Sequence, residues 1–216
     1  MNNRDVKRAI LDAMLAHVPF DGWTEKSLRA AARDTGRDAA EVRLLFPQGV
    51  RDALVFFMEE ADQAMLQAAE AMDLPAMKIR ERIAALVKAR IMALEPNREA
   101  ARRASLILGL PGYQDLALSS LYRTVDLIWQ AAGDTSTDWN FYTKRLILSG
   151  VYTSTLLYWL GDHSEDYADT WDFLDRRIED VMRFEKTKAE IRKSVENLPS
   201  VTRFLGRLRH PPIRPL

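Results

Sequence analysis

The chain has 216 residues and a mass of 24.7 kDa; 47% of its residues are apolar and 29% charged, with 31 basic side chains against 31 acidic ones. That is enough for one globular domain, or a small domain fused to a larger one, with a core that needs neither disulfide nor structural metal. Cysteine is absent, which excludes thiol redox chemistry and Cys-ligated zinc; His17, His163 and His210 lie far apart and none follows a Glu by three residues, so no Glu-x-x-His di-iron pair exists and no metal or other cofactor is expected.

Apolar spacings of three and four recur almost throughout and period-two alternation is missing, so the predicted class is all α, with about nine or ten helices. The first runs from Asn3 to His17 and stops before Pro19. Its sequence, MNNRDVKRAILDAML at the start, has no apolar h-region and carries acids that a transit peptide avoids, which predicts a cytoplasmic protein. Thr24 caps a second helix over Ser27 to Arg33, and Asp38 a third over Ala39 to Phe46, giving a helix-turn-helix unit. Further helices follow over Val50 to Met72, Pro75 to Leu94, a stretch capped by Asn97 and reaching Leu108, Tyr113 to Ala132, and a helix capped by Asp138 and reaching Leu160. The last amphipathic segment carries Tyr167, Trp171, Leu174, Ile178, Val181 and Met182. From Leu146 to Gly161 the apolar run is sixteen residues long, short of the roughly 20 that span a bilayer. The predicted organisation is a helix-turn-helix unit at 1–48, a helical bundle for lipid binding and dimerisation at 49–193, and a basic amphipathic helix and tail at 194–216.

The region from Gly22 to Leu54 resembles the DNA-binding unit of TetR-type regulators: an aromatic after Gly22, Thr24 opening a helix, the small-residue run Arg29-Ala-Ala-Ala-Arg33, Gly36 in the turn and Phe46-Pro47 at the close. DNA affinity depends mainly on Lys and Arg meeting phosphates. Yet Met1 to Glu60 holds 9 bases and 10 acids, and Asp38, Glu41 and Arg43 stand where such regulators place contacts, so the fold is expected without DNA as a partner.

The most specific pattern is AGDTSTDWNFYTKR at 132–145, followed by Val151-Tyr152, Leu157-Tyr158-Trp159, Trp171-Asp-Phe-Leu174 and Arg177-Ile-Glu-Asp-Val-Met182. It closely resembles the coenzyme Q nine family of ubiquinone-biosynthesis accessory lipid-binding proteins, and more weakly the resemblance extends from Val6 to Lys193. The resemblance implies a TetR-like helical bundle, a homodimer and no catalytic residues. It implies too an apolar pocket for an isoprenoid or other lipid, and the di-iron demethoxyubiquinone hydroxylase as the partner to which a quinone intermediate is presented. By the same resemblance the partner patch includes Phe141, Tyr142 and Arg145, beside Asp138 and Asn140; aromatic and Arg side chains commonly anchor interfaces. The family's more familiar residue at position 141 is tryptophan.

Candidates for the pocket wall are Leu86 and Met92; Leu121, Leu127 and Ile128; Leu148, Tyr152 and Leu156, although a Leu or Met stripe at helical spacing is more often core than pocket. Between Phe141 and Leu160, 12 of 20 residues are apolar and occupy all sides, as in a helix buried on nearly every face.

Charge divides the C-terminal part: Asp134 to Glu185 carries a net of −6 and Lys186 to Leu216 a net of +6. In the tail Val201, Phe204, Leu205 and Leu208 fall on one helical face while Arg203, Arg207 and Arg209 point elsewhere, a pattern suited to a membrane surface or to docking on the protein's own core. The resemblance favours the membrane, and so a location peripheral to the inner, cytoplasmic membrane. The competing function is a TetR-family transcriptional regulator with a hydrophobic ligand pocket.

Overall fold

The computed structural model describes residues 2–135 and 139–196, at 139–140 and 184–196 by backbone alone. The described residues are all α, with nine α-helices and no strand. Helix α1 (Asn3–Asp21) opens on a reciprocal cap, in which the Asn2 side chain accepts from the Arg4 amide and the Asp5 carboxylate from the Asn2 amide. Its buried stripe is Val6, Ile10, Leu11, Met14, Leu15 and Val18. The helix passes through Pro19, where the sequence predicts its end: proline in the final turn forfeits a single bond, and the Gly22 amide closes the helix on the Val18 carbonyl at 2.9 Å, with Gly22 at φ 70°.

Thr24 caps α2 (Glu25–Asp34), accepting from the Ser27 amide, and the Asp38 carboxylate caps α3 (Ala39–Leu45), accepting from the Glu41 amide at 2.7 Å. Gly49, at φ 58°, opens α4 (Val50–Glu70), and a Cβ there would run into the Glu25 carboxylate, which accepts from the Val50 amide at 3.2 Å. Trp23 ties the helix-turn-helix to the helical bundle. Its buried indole donates to the Ala100 carbonyl at 2.9 Å and sits 5.1 Å from the Phe57 ring.

The remaining helices are α5 (Ile79–Met92), α6 (Arg98–Leu108), α7 (Gln114–Ala131), α8 (Trp139–Gly161) and α9 (Ala168–Glu196). The Asn97 side chain makes no capping bond, contrary to expectation. Pro96 stands in a 3-10 turn over Glu95–Asn97 whose Asn97 amide bonds the Leu94 carbonyl, so Asn97 lacks the extended backbone a capping residue needs. Arg98 and Arg102 reach the last carbonyls of α8, Arg98 donating to Trp159 and Asp162 and Arg102 to Leu160.

The chain divides into two compact units after Asp175. In the second, Arg177 pairs with Asp180 at 2.7 Å and Arg183 with Glu179 at 3.6 Å along one helix. No helix among the described residues is long and apolar enough to cross a membrane.

Candidate functional site

An apolar cavity of about 280 Å³ lies among α4, α5, α6, α7 and α8. It exists because small side chains meet there: Ala101, Ala104 and Ser105 from α6, Ala117 and Ser120 from α7 and Thr153 from α8 leave space that leucines would fill. Phe57, Leu94, Leu108, Leu121 and Leu156 supply the greasy wall, and Leu157, 57% exposed, stands at the solvent side with Gly109.

One end of the cavity is polar. There the buried Arg90 guanidinium donates through Nε to Asp62 Oδ1 at 2.6 Å and through Nη2 to the Met58 carbonyl at 3.2 Å. Thr124 Oγ1 also donates to Asp62 Oδ1, at 2.8 Å, and Arg123 Nε to Oδ2 at 3.0 Å. Arg90 and Asp62 expose 2% and 1% of their surface, so the pair persists because each compensates the other's lost hydration. The Tyr152 ring lies 6.0 Å from the guanidinium, and burial pushes its phenol above the ordinary value despite the opposing pull of Arg90, leaving a neutral hydroxyl at physiological pH.

Of the eight residues predicted for a pocket wall, Leu121, Tyr152 and Leu156 line this cavity. Leu86, Ile128 and Leu148 are buried in the core outside its wall, and Leu127 is half-buried. Met92 stands on a second hollow of about 610 Å³, open and polar, with Lys88, Glu95, Arg98, His163 and Trp171. Two charged side chains of that hollow are engaged within the protein, Arg98 with the carbonyls of Trp159 and Asp162 and Asp162 with Ser164 and Thr170, and the smaller, apolar cavity is the candidate site.

At the start of α8, Tyr142 is 64% exposed and Phe141 half-buried, their rings edge to face at 5.2 Å. Arg145 is buried beneath them. It donates through Nε to Asp126 at 2.6 Å and through Nη1 to the Phe141 carbonyl at 3.1 Å and to Asp134 at 3.4 Å, with the guanidinium stacked on the Phe141 ring. Arg145 therefore clasps α7 to the first turn of α8 and holds the Phe141 ring, and the exposed part of the patch is Tyr142 with the edge of Phe141. Asp138 and the side chain of Asn140 lie outside the described residues, as do the tail positions Val201, Arg203, Phe204, Leu205, Arg207 and Leu208. Sequence reasoning passes over Arg90, Asp62 and Ser120. The available signal is an Arg on the stripe Ile83, Leu86, Val87, Arg90, Ile91, where helical spacing demands an apolar residue.

A helix-turn-helix closed onto a helical bundle is the TetR-like fold. The crystal structure of the TetR transcriptional regulator from Nitrosomonas europaea matches with a TM-score of 0.66 at 23% identity, over 81% of this chain and 97% of that one. Within that fold, residues 114–185 match the COQ9 family model. The chain is homologous over most of its length to the protein named "Ubiquinone biosynthesis protein COQ9, mitochondrial" from Rattus norvegicus, 33% identical across 91% of this chain and 65% of that protein. It is likewise homologous to the protein of the same name from Homo sapiens, 33% identical across 91% of this chain and 64% of that protein. The match to the COQ9 family model thus lies at residues 114–185, and the chain spans slightly less than two-thirds of the length of these relatives, 65% and 64%. The cytoplasmic, membrane-peripheral location predicted from the first residues and the tail is overturned, because these relatives are mitochondrial by name. The physical reason is that the segment from Asn3 onward forms the start of α1, whose composition answers to the packing of its buried stripe rather than to the compartment.

Proposed function

We propose that the chain is a non-enzymatic accessory protein of ubiquinone biosynthesis that holds an isoprenoid quinone intermediate in the α4–α8 cavity and presents it to the di-iron demethoxyubiquinone hydroxylase. The observation that carries this reading is the cavity itself, a greasy wall with one polar end in a chain whose relatives are named for ubiquinone biosynthesis. At about 280 Å³ it sits near the lower end of the roughly 300–1,000 Å³ usual for ligand pockets, room for a head and the first part of a chain rather than a long polyprenyl tail. Tyr142 and Phe141 form the surface offered to the hydroxylase, with Arg145 as their support. Exposed Leu118 and Tyr122 on α7 and Leu146 on α8 provide apolar area for a second copy of the chain, and a membrane surface is the source of the lipid.

Organic-solvent extraction of the purified protein from its native host, followed by mass spectrometry, should release a quinone or other isoprenoid; consistently lipid-free preparations would refute the holding role. Tyr142→Ala should weaken binding to the hydroxylase while leaving the fold intact, and an unchanged affinity in the folded variant would remove the patch.

A further inference from the structure

Two polar atoms on residues that line the cavity are buried and have no hydrogen-bond partner among the described residues: Nη1 of Arg90 and Oγ of Ser120. Both residues line the cavity, and they expose only 2% and 3% of their surface. Leaving such donors without a partner is costly, so native interiors rarely do it. The two come from different helices, α5 and α7, and are linked through Thr124, which shares Asp62 Oδ1 with Arg90 and lies one helical turn from Ser120.

Charge narrows what would complete them. Arg90 and Asp62 sum to zero, and the charge of Arg123 is met by Asp62 and by Glu59 at 3.2 Å. A carboxylate or phosphate brought to the polar end of the cavity would be a buried charge with no cation left to balance it. A neutral oxygen asks for a donor and nothing more.

We infer that Arg90 and Ser120 form an oxygen-recognition subsite, which selects neutral lipids bearing a carbonyl or ether oxygen and seats that oxygen at the inner end of the cavity while the chain trails past Leu157. This rests on the lipid-holding function proposed for the cavity and adds the head-group chemistry to it. The protonated Tyr152 phenol on the same wall is compatible with a neutral head group.

Calorimetric titration of the full chain tests it, with three probes: a short ubiquinone carrying one isoprene unit, hexylbenzene, and decanoate. The quinone should bind more tightly than either of the others. Ser120→Ala, which deletes one of the two atoms and leaves the Asp62 pair untouched, should weaken the quinone by roughly three- to tenfold and leave hexylbenzene unchanged. Arg90→Lys keeps a cation for Asp62 while removing Nη1, and should show the same selective loss, an independent check should either variant fold poorly. Hexylbenzene or decanoate matching the quinone, or a folded Ser120→Ala protein with unaltered quinone affinity, would overturn the subsite while leaving lipid holding in place. Failure of all three probes to bind would overturn both.

Discussion

Asp62 on α4 and Arg90 on α5 neutralise one another in the core, with Thr124 from α7 completing the carboxylate. The arrangement is asymmetric in its consequences: a buried pair adds little over a well-packed apolar one, but either member alone is a buried charge without a counterion. Asp62→Asn is therefore expected to lower the unfolding free energy by about 3–5 kcal/mol, measured by urea denaturation, whereas the double variant Asp62→Leu with Arg90→Met should restore most of the loss. A double variant no better than the single one would show that hydrogen bonding and shape, rather than charge, hold this corner of the core.

Among the elements, the join between α8 and α9 is where backbone strain is carried. Asp166 and Tyr167 take φ of 50° and 58°, left-handed values that side chains other than glycine adopt infrequently. Asp162 holds the join: its carboxylate accepts from the Ser164 amide and hydroxyl and from the Thr170 amide and hydroxyl. Burial opposes its ionisation, yet these four bonds outweigh burial and keep the carboxyl well below the usual carboxylate range. Since the folded value is depressed, the stabilisation is present above the ordinary value of 3.8 and is lost as pH falls through the folded one. Asp162→Asn should accordingly be less stable at neutral pH and show a flatter fall in melting temperature on acidification below about pH 4; an acid limb parallel to that of the unmodified chain would refute the role.

For the whole molecule, the helix-turn-helix raises the question of nucleic acid. Of the nine bases between Met1 and Glu60, five, Arg4, Arg8, Lys26, Arg37 and Arg51, already pair with carboxylates of the chain. Phosphate neutralisation and counterion release depend on such side chains, so a gel-shift titration at low salt is expected to show no sub-micromolar binding to duplex DNA; sub-micromolar retardation would favour the regulator reading that the fold alone permits.

What could be read from residue order is whatever depends on neighbours along the chain: the all-α class, the caps at Thr24 and Asp38, and the COQ9 pattern around α8. Helix ends were less legible, because Pro19 and Asn97 answer to the hydrogen bonds of adjoining turns as much as to their own propensities. The cavity could not be located that way at all. Helical spacing marks Leu86, Leu121, Ile128 and Tyr152 alike as inward, and only the meeting of small residues from α6, α7 and α8 decides that Leu121 and Tyr152 border empty space while Leu86 and Ile128 do not. Arg145 is the same lesson in a charged residue, since the order of amino acids makes it an interface candidate and its position above Asp126 and Asp134 makes it a buried clasp. Periodicity tells which way a side chain faces; only packing in three dimensions tells what it meets.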